Sequence, residues 1–361
     1  MLRNARRAGL CKSVSYMIFS KANLKIDPSL EISRISQFIR KMTLKNFKRK
    51  GAVIGLSGGI DSAVVAELCV RSLGEKNVLG LILPEKESNP VSSEFGRKHA
   101  EKMGIETITV DITQYLVSCN VYQRKEAVIK NYFPEYDDSY RFHITLPQDL
   151  LEKDRFNYHS ITIEDREGNR QKKRISGSDW LKISACQNIK QRARMIQLYY
   201  YADKNNYIVA GTTNKTEVLQ GFFVKFGDGG VDIEPIAHLY KMQVYELAKK
   251  LGVIQEIIER PPSADTYSLP VTDKELYFCI DYELLDFLLY SYANNVPYDQ
   301  ISNTLGLKQE QIRRAFRDFK AKERASWHLR QMPPTLEKTI SHRGAEVTEG
   351  SFSARKTFHS K

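Results

Sequence analysis

The sequence predicts an α/β fold: a doubly wound parallel sheet with flanking helices, followed by a small helical C-terminal region. Three observations carry this expectation. Short apolar runs alternate with segments of helical periodicity, the first run ends in a glycine turn, and the 361 residues are 42% hydrophobic, enough for a packed core.

Taken in order, Ile32, Ile35, Phe38, Ile39 and Met42 recur at helical spacing and predict an amphipathic helix over 30–42. Residues 52–56 form an apolar run ending in Ser57-Gly58-Gly59, and residues 61–73 return to helical periodicity, so a strand, a tight turn and a helix follow one another. Residues 78–83 and 106–111 read as further strands around a helix over 91–103. After the break at 134–180, a helix is expected over 188–203, a strand over 207–210 and a helix over 240–251. Within the break, alternation in 160–164 and 173–176 about Gly168-Asn169 reads as an inserted hairpin. The domain expectation is a basic N-terminal extension (1–29), one main domain (30–337) with a polar insertion at about 134–180, and a flexible tail (338–361). In such a sheet, ligands bind at the carboxyl ends of the strands.

Charge narrows the function classes. With 55 Lys+Arg and 43 Asp+Glu the formal charge is +12, which on its own suggests a polyanion partner. But residues 1–50 hold 13 Lys/Arg against Asp27 and Glu31, whereas residues 51–361 hold 42 basic and 41 acidic side chains. A nearly neutral body argues against a wide nucleic-acid footprint. The first 26 residues lack any acid, the composition both of a mitochondrial transit peptide and of a solvated basic extension to a cytoplasmic protein. No apolar window is long enough to span a membrane. Cys11, Cys69, Cys119, Cys186 and Cys279 are scattered with no CxxC pair, so neither a disulfide framework nor a zinc site is expected.

Chemistry concentrates in two blocks. Gly55-Leu-Ser-Gly-Gly-Ile-Asp-Ser62 lies at a strand-to-helix junction, where backbone N–H groups and the helix dipole favour an anion. It lacks the lysine of the common nucleotide-binding loop and carries Asp61 instead, which repels phosphate unless a divalent cation lies between them. The plain alternative is a Gly-rich turn with a helix-capping Asp. The second block, Gly211-Thr-Thr-Asn-Lys-Thr-Glu217, continues into residues 221–232. It supplies Glu217 as a second carboxylate able to share a cation with Asp61, Lys225 and Lys241 for anionic groups, and Asp228 in a glycine turn.

The first block resembles the SGGxDS pyrophosphate-binding loop of N-type ATP pyrophosphatases, which implies an adenine nucleotide alpha hydrolase-like fold and cleavage of ATP between its α and β phosphates. The second block, with residues 188–195 (Asn-Ile-Lys-Gln-Arg-Ala-Arg-Met), is similar to NAD synthetase, over about residues 30–335. GMP synthetase-like and asparagine synthetase-like enzymes share only the first loop. The resemblance implies that Gly55, Ser57, Gly58, Gly59, Asp61 and Ser62 bind ATP phosphates, that Asp61 and Glu217 hold Mg2+, and that Thr212, Lys241 and Ser263 contact ATP. It implies that Asn188, Arg192, Lys225, Asp228, Asp232 and His328 meet deamido-NAD, and that Asp61, Glu217 and Lys241 are the catalytic residues. The implied reaction is amidation of deamido-NAD through an acyl-adenylate, releasing AMP and pyrophosphate, in a homodimer. About 50 residues precede the loop, too few for a glutaminase domain, so free ammonia or a separate glutaminase is the expected nitrogen source.

Three departures leave an altered acceptor open, such as tRNA or another carboxylate. Asp273-Lys274 stands where the family shows Asp-Glu, Leu329 replaces a cation between His328 and Arg330, and the insertion is long. Residues 299–319 also resemble a helix-turn-helix with Gly306 in the turn and Arg313, Arg314 and Arg317 available to phosphates.

Overall fold

The computed structural model describes residues 19–154 and 157–334, with Leu336. The acid-free head up to residue 18 and the tail after Leu336 lie outside the described residues. No helix among the described residues is long and apolar enough to cross a membrane.

Helix α1 (Pro28–Arg40) starts where Asp27 accepts the amides of Ser29 and Leu30 and Pro28 supplies a pre-set first turn. It leads through a π-helical turn (41–46) into β1 (Ala52–Gly55), α2 (Ile60–Leu73), β2 (Val78–Ile82), α3 (Pro90–Met103) and β3 (Glu106–Thr109). Two short helices, α4 (Thr113–Ser118) and α5 (Val121–Lys130), precede the insertion strands β4 (Arg141–Thr145), β5 (Ser160–Glu164) and β6 (Arg170–Arg174). Then come α6 (Gly177–Asn205), β7 (Ile208–Val209), α7 (Lys215–Gln220), α8 (Lys241–Leu251) and α9 (Gln255–Glu259). The chain ends in α10 (Tyr282–Ala293), α11 (Tyr298–Leu305) and α12 (Gln309–Ser326).

The main sheet is parallel with order β3-β2-β1-β7. The chain winds outward from β1 to β3 and then returns to the other side of β1, so strand order reverses between β1 and β7. That reversal opens a crevice at their carboxyl ends. Both faces are covered, as a parallel sheet requires. Ala52 and Ile54 of β1 pack with Ile35 of α1, Leu68 of α2 and Leu247 of α8, while Val53 faces Ala202 of α6 together with Leu81 and Val209.

The insertion differs from its expected form. It is a three-stranded antiparallel sheet, order β4-β5-β6, rather than a hairpin, and its last strand begins at Arg170 rather than Lys173. Strand β6 is exposed along its whole length and carries only Arg, Gln and Lys, so no apolar alternation marks it. Strand β4 buries Phe142 and Ile144 against Ile161 and Ile163 of β5 and Ile183 of α6. Helix α6 likewise begins at Gly177, not at residue 188, because the Ser176 hydroxyl caps the amide of Asp179.

The helix-turn-helix pattern is present as α11, Gly306 and α12, but its apolar face is used internally: Ile301, Ile312, Ala315 and Phe319 pack with Leu285 and Leu288 of α10. Arg317 pairs with Asp154 and Arg313 with Glu310, while Arg314 donates to the Leu151 carbonyl.

Candidate active site

The carboxyl ends of β1 and β7 open into a cavity of about 440 Å3. Gly55, Ser57, Gly59, Asp61 and Ser62 line it from the first block, Thr212 and Glu217 from the second, with Asn188, Asp228, Lys241 and Ser263. The phosphate loop is rigid for identifiable reasons. Gly58 has φ +69 and packs so close to α3 that a Cβ would meet the Ser92 carbonyl oxygen at 2.3 Å. The hydroxyls of Ser57 and Ser62 lie 3.1 Å apart, and Ser62 Oγ donates to the Gly59 carbonyl at 2.9 Å. Gly59, at the start of α2, offers no side-chain cap. The first-turn amides therefore stay available to an anion.

Asp61 meets the second block through two bonds. Its Oδ2 accepts Lys241 Nζ at 2.5 Å, and its Oδ1 accepts Asn214 Nδ2 at 3.1 Å. Asn214 also caps α7, accepting the Glu217 amide while Glu217 Oε2 accepts the Asn214 amide. Lys241 Nζ lies 3.5 Å from Glu217 Oε1 and is 2% exposed. Asp273 completes the group: it is buried, its Oδ2 accepts the Tyr282 hydroxyl at 2.8 Å, and its Oδ1 has no hydrogen-bond partner.

Three carboxylates thus face one ammonium. Burial works against the Lys241 charge, but Asp61, Glu217 and Asp273 outweigh it and hold the ammonium above the ordinary lysine value. Burial pushes the Glu217 carboxyl up, opposed by Lys241 and aided by Asp61, and it pushes Asp273 up in the same way. The cluster is short of positive charge. Among the described residues no three His, Cys, Asp or Glu side chains form a ready metal cage. Two carboxylates beside the free first-turn amides of α2, with an orphaned Asp273 oxygen nearby, suit a cation that takes its remaining ligands from a bound anion and water.

Five expected site residues lie outside the cavity lining. Gly58 is behind the loop, against α3. Arg192 is exposed and donates to the Lys225 carbonyl at 3.3 Å, and Lys225 Nζ donates to the His328 carbonyl at 3.1 Å. Asp232 accepts the Val209 amide at 2.8 Å and the Tyr199 hydroxyl at 3.2 Å, finishing the edge of β7. Asp228, by contrast, does line the cavity, and it closes the glycine turn by accepting the Val224 amide at 2.7 Å.

Sequence reasoning missed Asn214, which stood inside the quoted block, and Asp286. The Asp286 carboxylate is buried, accepting the Thr216 hydroxyl at 2.6 Å and the Met242 amide at 2.9 Å, while Thr216 Oγ1 accepts the Lys241 amide at 3.1 Å. It joins α7, α8 and α10 behind Glu217 and Lys241. Its only sequence signal is an acid inside the apolar run of 284–289.

A family model described as NAD synthase matches residues 31–133 and 132–333. An NH(3)-dependent NAD(+) synthetase of Mesorhizobium japonicum is 41% identical over 310 residues, which are 86% of this chain and 97% of the relative. Among solved structures, NMN synthetase from Francisella tularensis superimposes with a TM-score of 0.58 at 25% identity, covering 86% of this chain and 99% of that one. The NH3-dependent NAD synthetase from Campylobacter jejuni shares the fold with a TM-score of 0.55 at 24% identity, over 87% and 100% of the two chains. With a family model spanning nearly all of the described residues and a curated relative matched along almost its whole length, the chain belongs to the NAD synthase family.

Proposed function

We infer that the chain performs the ATP-dependent amidation of deamido-NAD to NAD with ammonia, and we propose how its residues divide the work. One observation carries the assignment of roles: Asp61 of the phosphate loop and Glu217 of the second block converge on the buried Lys241 at the mouth of the β1–β7 crevice.

The nicotinate carboxylate is a poor electrophile, because direct displacement by ammonia would expel oxide. Its oxygen attacks the α-phosphorus of ATP, the bond to the bridging oxygen breaks, and that electron pair leaves with pyrophosphate. Ammonia then attacks the acyl carbon, the C–O bond breaks with its electron pair going to AMP, and nitrogen loses one proton. The loop amides of 57–62 bind and orient the phosphates, and Lys241 balances charge where the phosphates meet Asp61 and Glu217. Mg2+, held by Asp61 and Glu217, would neutralise phosphate charge in this site. Thr212, Ser263, Asn188 and Asp228 line the same cavity, which supports contact of the first two with ATP and of the last two with the dinucleotide.

The cavity lies at the lower end of the ~300–1,000 Å3 range of ligand pockets. Arg192, Lys225, Asp232 and His328 lie outside its lining, so a dinucleotide would meet them only by extending beyond the cavity. That placement supports a substrate site completed by a second copy in a homodimer, which a mass measurement in solution tests. The same dimensions favour, as a second reading, a mononucleotide acceptor, as the name of the Francisella relative indicates for that protein. Incubation with ATP, Mg2+, ammonium and either deamido-NAD or nicotinate mononucleotide should give NAD from the former, with equimolar AMP and pyrophosphate. Release of ADP would overturn the mechanism, and faster turnover of the mononucleotide would overturn the acceptor. Replacing ammonium by glutamine should abolish turnover by the pure chain.

A further inference from the structure

Arg260, directly after α9, belongs to neither quoted block. It is half-buried and lies on the wall shared by the main cavity and an adjoining one of about 400 Å3. Its guanidinium donates to Ser92 Oγ at 2.9 Å and, more loosely, to the carbonyl of Gly58 in the phosphate loop at 3.4 Å. Phe95 lies 6.0 Å beneath it. Among the described residues it forms no ion pair, whereas Arg34, Arg141, Arg170, Arg313 and Arg317 each meet a carboxylate. A guanidinium has five donors in a planar fork suited to phosphate oxygens. Two are occupied here. A partly desolvated cation without a counter-ion is unfavourable unless an anion joins it.

We propose that Arg260 receives the outer phosphates of ATP and holds the departing pyrophosphate at the far side of the loop from Lys241. This rests on the ATP-cleaving reading above and adds a residue to it. Lys241, Asp61 and Glu217 line the same cavity as Arg260, which is tied to the loop at Gly58, so a triphosphate seated on the loop would meet two separate cations. When the bond to the α-phosphorus breaks, the electron pair stays on the pyrophosphate oxygen, and in this placement Arg260 neutralises the charge that develops there.

The test compares two products in Arg260→Gln and Arg260→Lys. For Arg260→Gln, inhibition by pyrophosphate and KM for ATP should weaken about tenfold or more, the worth of one charge-assisted contact. Inhibition by AMP and KM for deamido-NAD should stay within about twofold, and the Lys variant should fall between Gln and the parent. Equal weakening of AMP and pyrophosphate would mean that Arg260 only props the loop through Gly58 and Ser92, overturning the proposal; so would unchanged pyrophosphate inhibition. If the Gln variant does not fold, the Lys variant decides by the same comparison. Calorimetric titration of the free protein with pyrophosphate in Mg2+ needs no turnover, so it judges Arg260 even if the reaction itself were assigned wrongly.

Discussion

Lys241 Nζ and Asp61 Oδ2 lie 2.5 Å apart although 180 positions separate them in the chain. Each arrives at the start of a helix, Asp61 in the first turn of α2 and Lys241 as the first residue of α8, and the two helices pack side by side through Leu68, Val244 and Leu247. The contact unites the phosphate loop with the second block, and its replacement should be the most damaging change in the cavity. Lys241→Met leaves Asp61, Glu217 and Asp273 facing one another. The rate of pyrophosphate release should drop about 100-fold or more, and a variant keeping a tenth of the parent rate would remove Lys241 from the machinery. Asp61→Ala should abolish pyrophosphate release while circular dichroism stays that of a folded protein.

The loop's glycines are not equivalent. Gly58→Ala adds a Cβ 2.3 Å from the Ser92 carbonyl oxygen at a φ of +69. It should lower the melting temperature and raise KM for ATP about tenfold or more, through displacement of the loop. Gly168→Ala provides the control, because φ is +88 there but the added carbon meets nothing within 4 Å. That change should cost only about 1 kcal/mol, with KM for ATP unaltered.

Asp286 should make stability depend on pH. Burial, opposed by the Thr216 hydroxyl and the Met242 amide, pushes its carboxyl up to about 7 from 3.8. Between these values the unfolded chain binds fewer protons than the folded one, so the Asp286 contribution is present at low pH and is lost as pH rises toward 7. Asp286→Asn keeps a carbonyl oxygen to accept one of the two bonds that Asp286 accepts from Thr216 and Met242, and it does not titrate. Melting temperatures of parent and variant, measured from pH 5 to 8, should show a shallower fall with rising pH in the variant; parallel curves would refute this.

Buried and exposed lysines should differ sharply. Lys190 is fully buried, donating to Glu85 at 2.8 Å, Glu87 at 2.6 Å and the Thr266 carbonyl at 2.9 Å. Among the described residues, Lys190→Met takes the only paired cation from the buried Glu85 and leaves Glu87 with Lys125 alone, and should cost about 3–5 kcal/mol in urea unfolding. Lys98, exposed and paired with Glu256, should cost about 0–1 kcal/mol when changed to Met.

The main sheet was legible because buried parallel strands such as 52–55 and 78–82 are nearly continuous apolar runs, punctuated by glycine. The glycine turn between β1 and α2 was legible for the same reason, since Gly58, Gly59 and Asp61 sit directly after such a run. The insertion was not. Its β4 follows the acids of 135–138, and its β6 has no apolar residue at all, so the pairing that creates it is tertiary and leaves no local period. Asp273 and Asp286 illustrate the same limit within the site. Their importance comes from helices α7, α8 and α10 meeting, which no spacing within 273–286 reveals. Lys274 turns to Asp281 at the surface rather than toward the cavity.

The register Ala52↔Ile208 and Val53↔Val209 has a consequence for how the protein comes into being. Strands β1, β2 and β3 and the loop after β1 are all complete by residue 109, so they are synthesised well before β7. The β1 flank stays open until β7 has been made, and Asp61 has no Lys241 until α8 follows. Non-local parallel pairing of this kind is slow and leaves an exposed strand edge meanwhile. A ribosome stalled before residue 208 would therefore carry a fragment with an unpaired β1 edge and an Asp61 that has no Lys241 to meet.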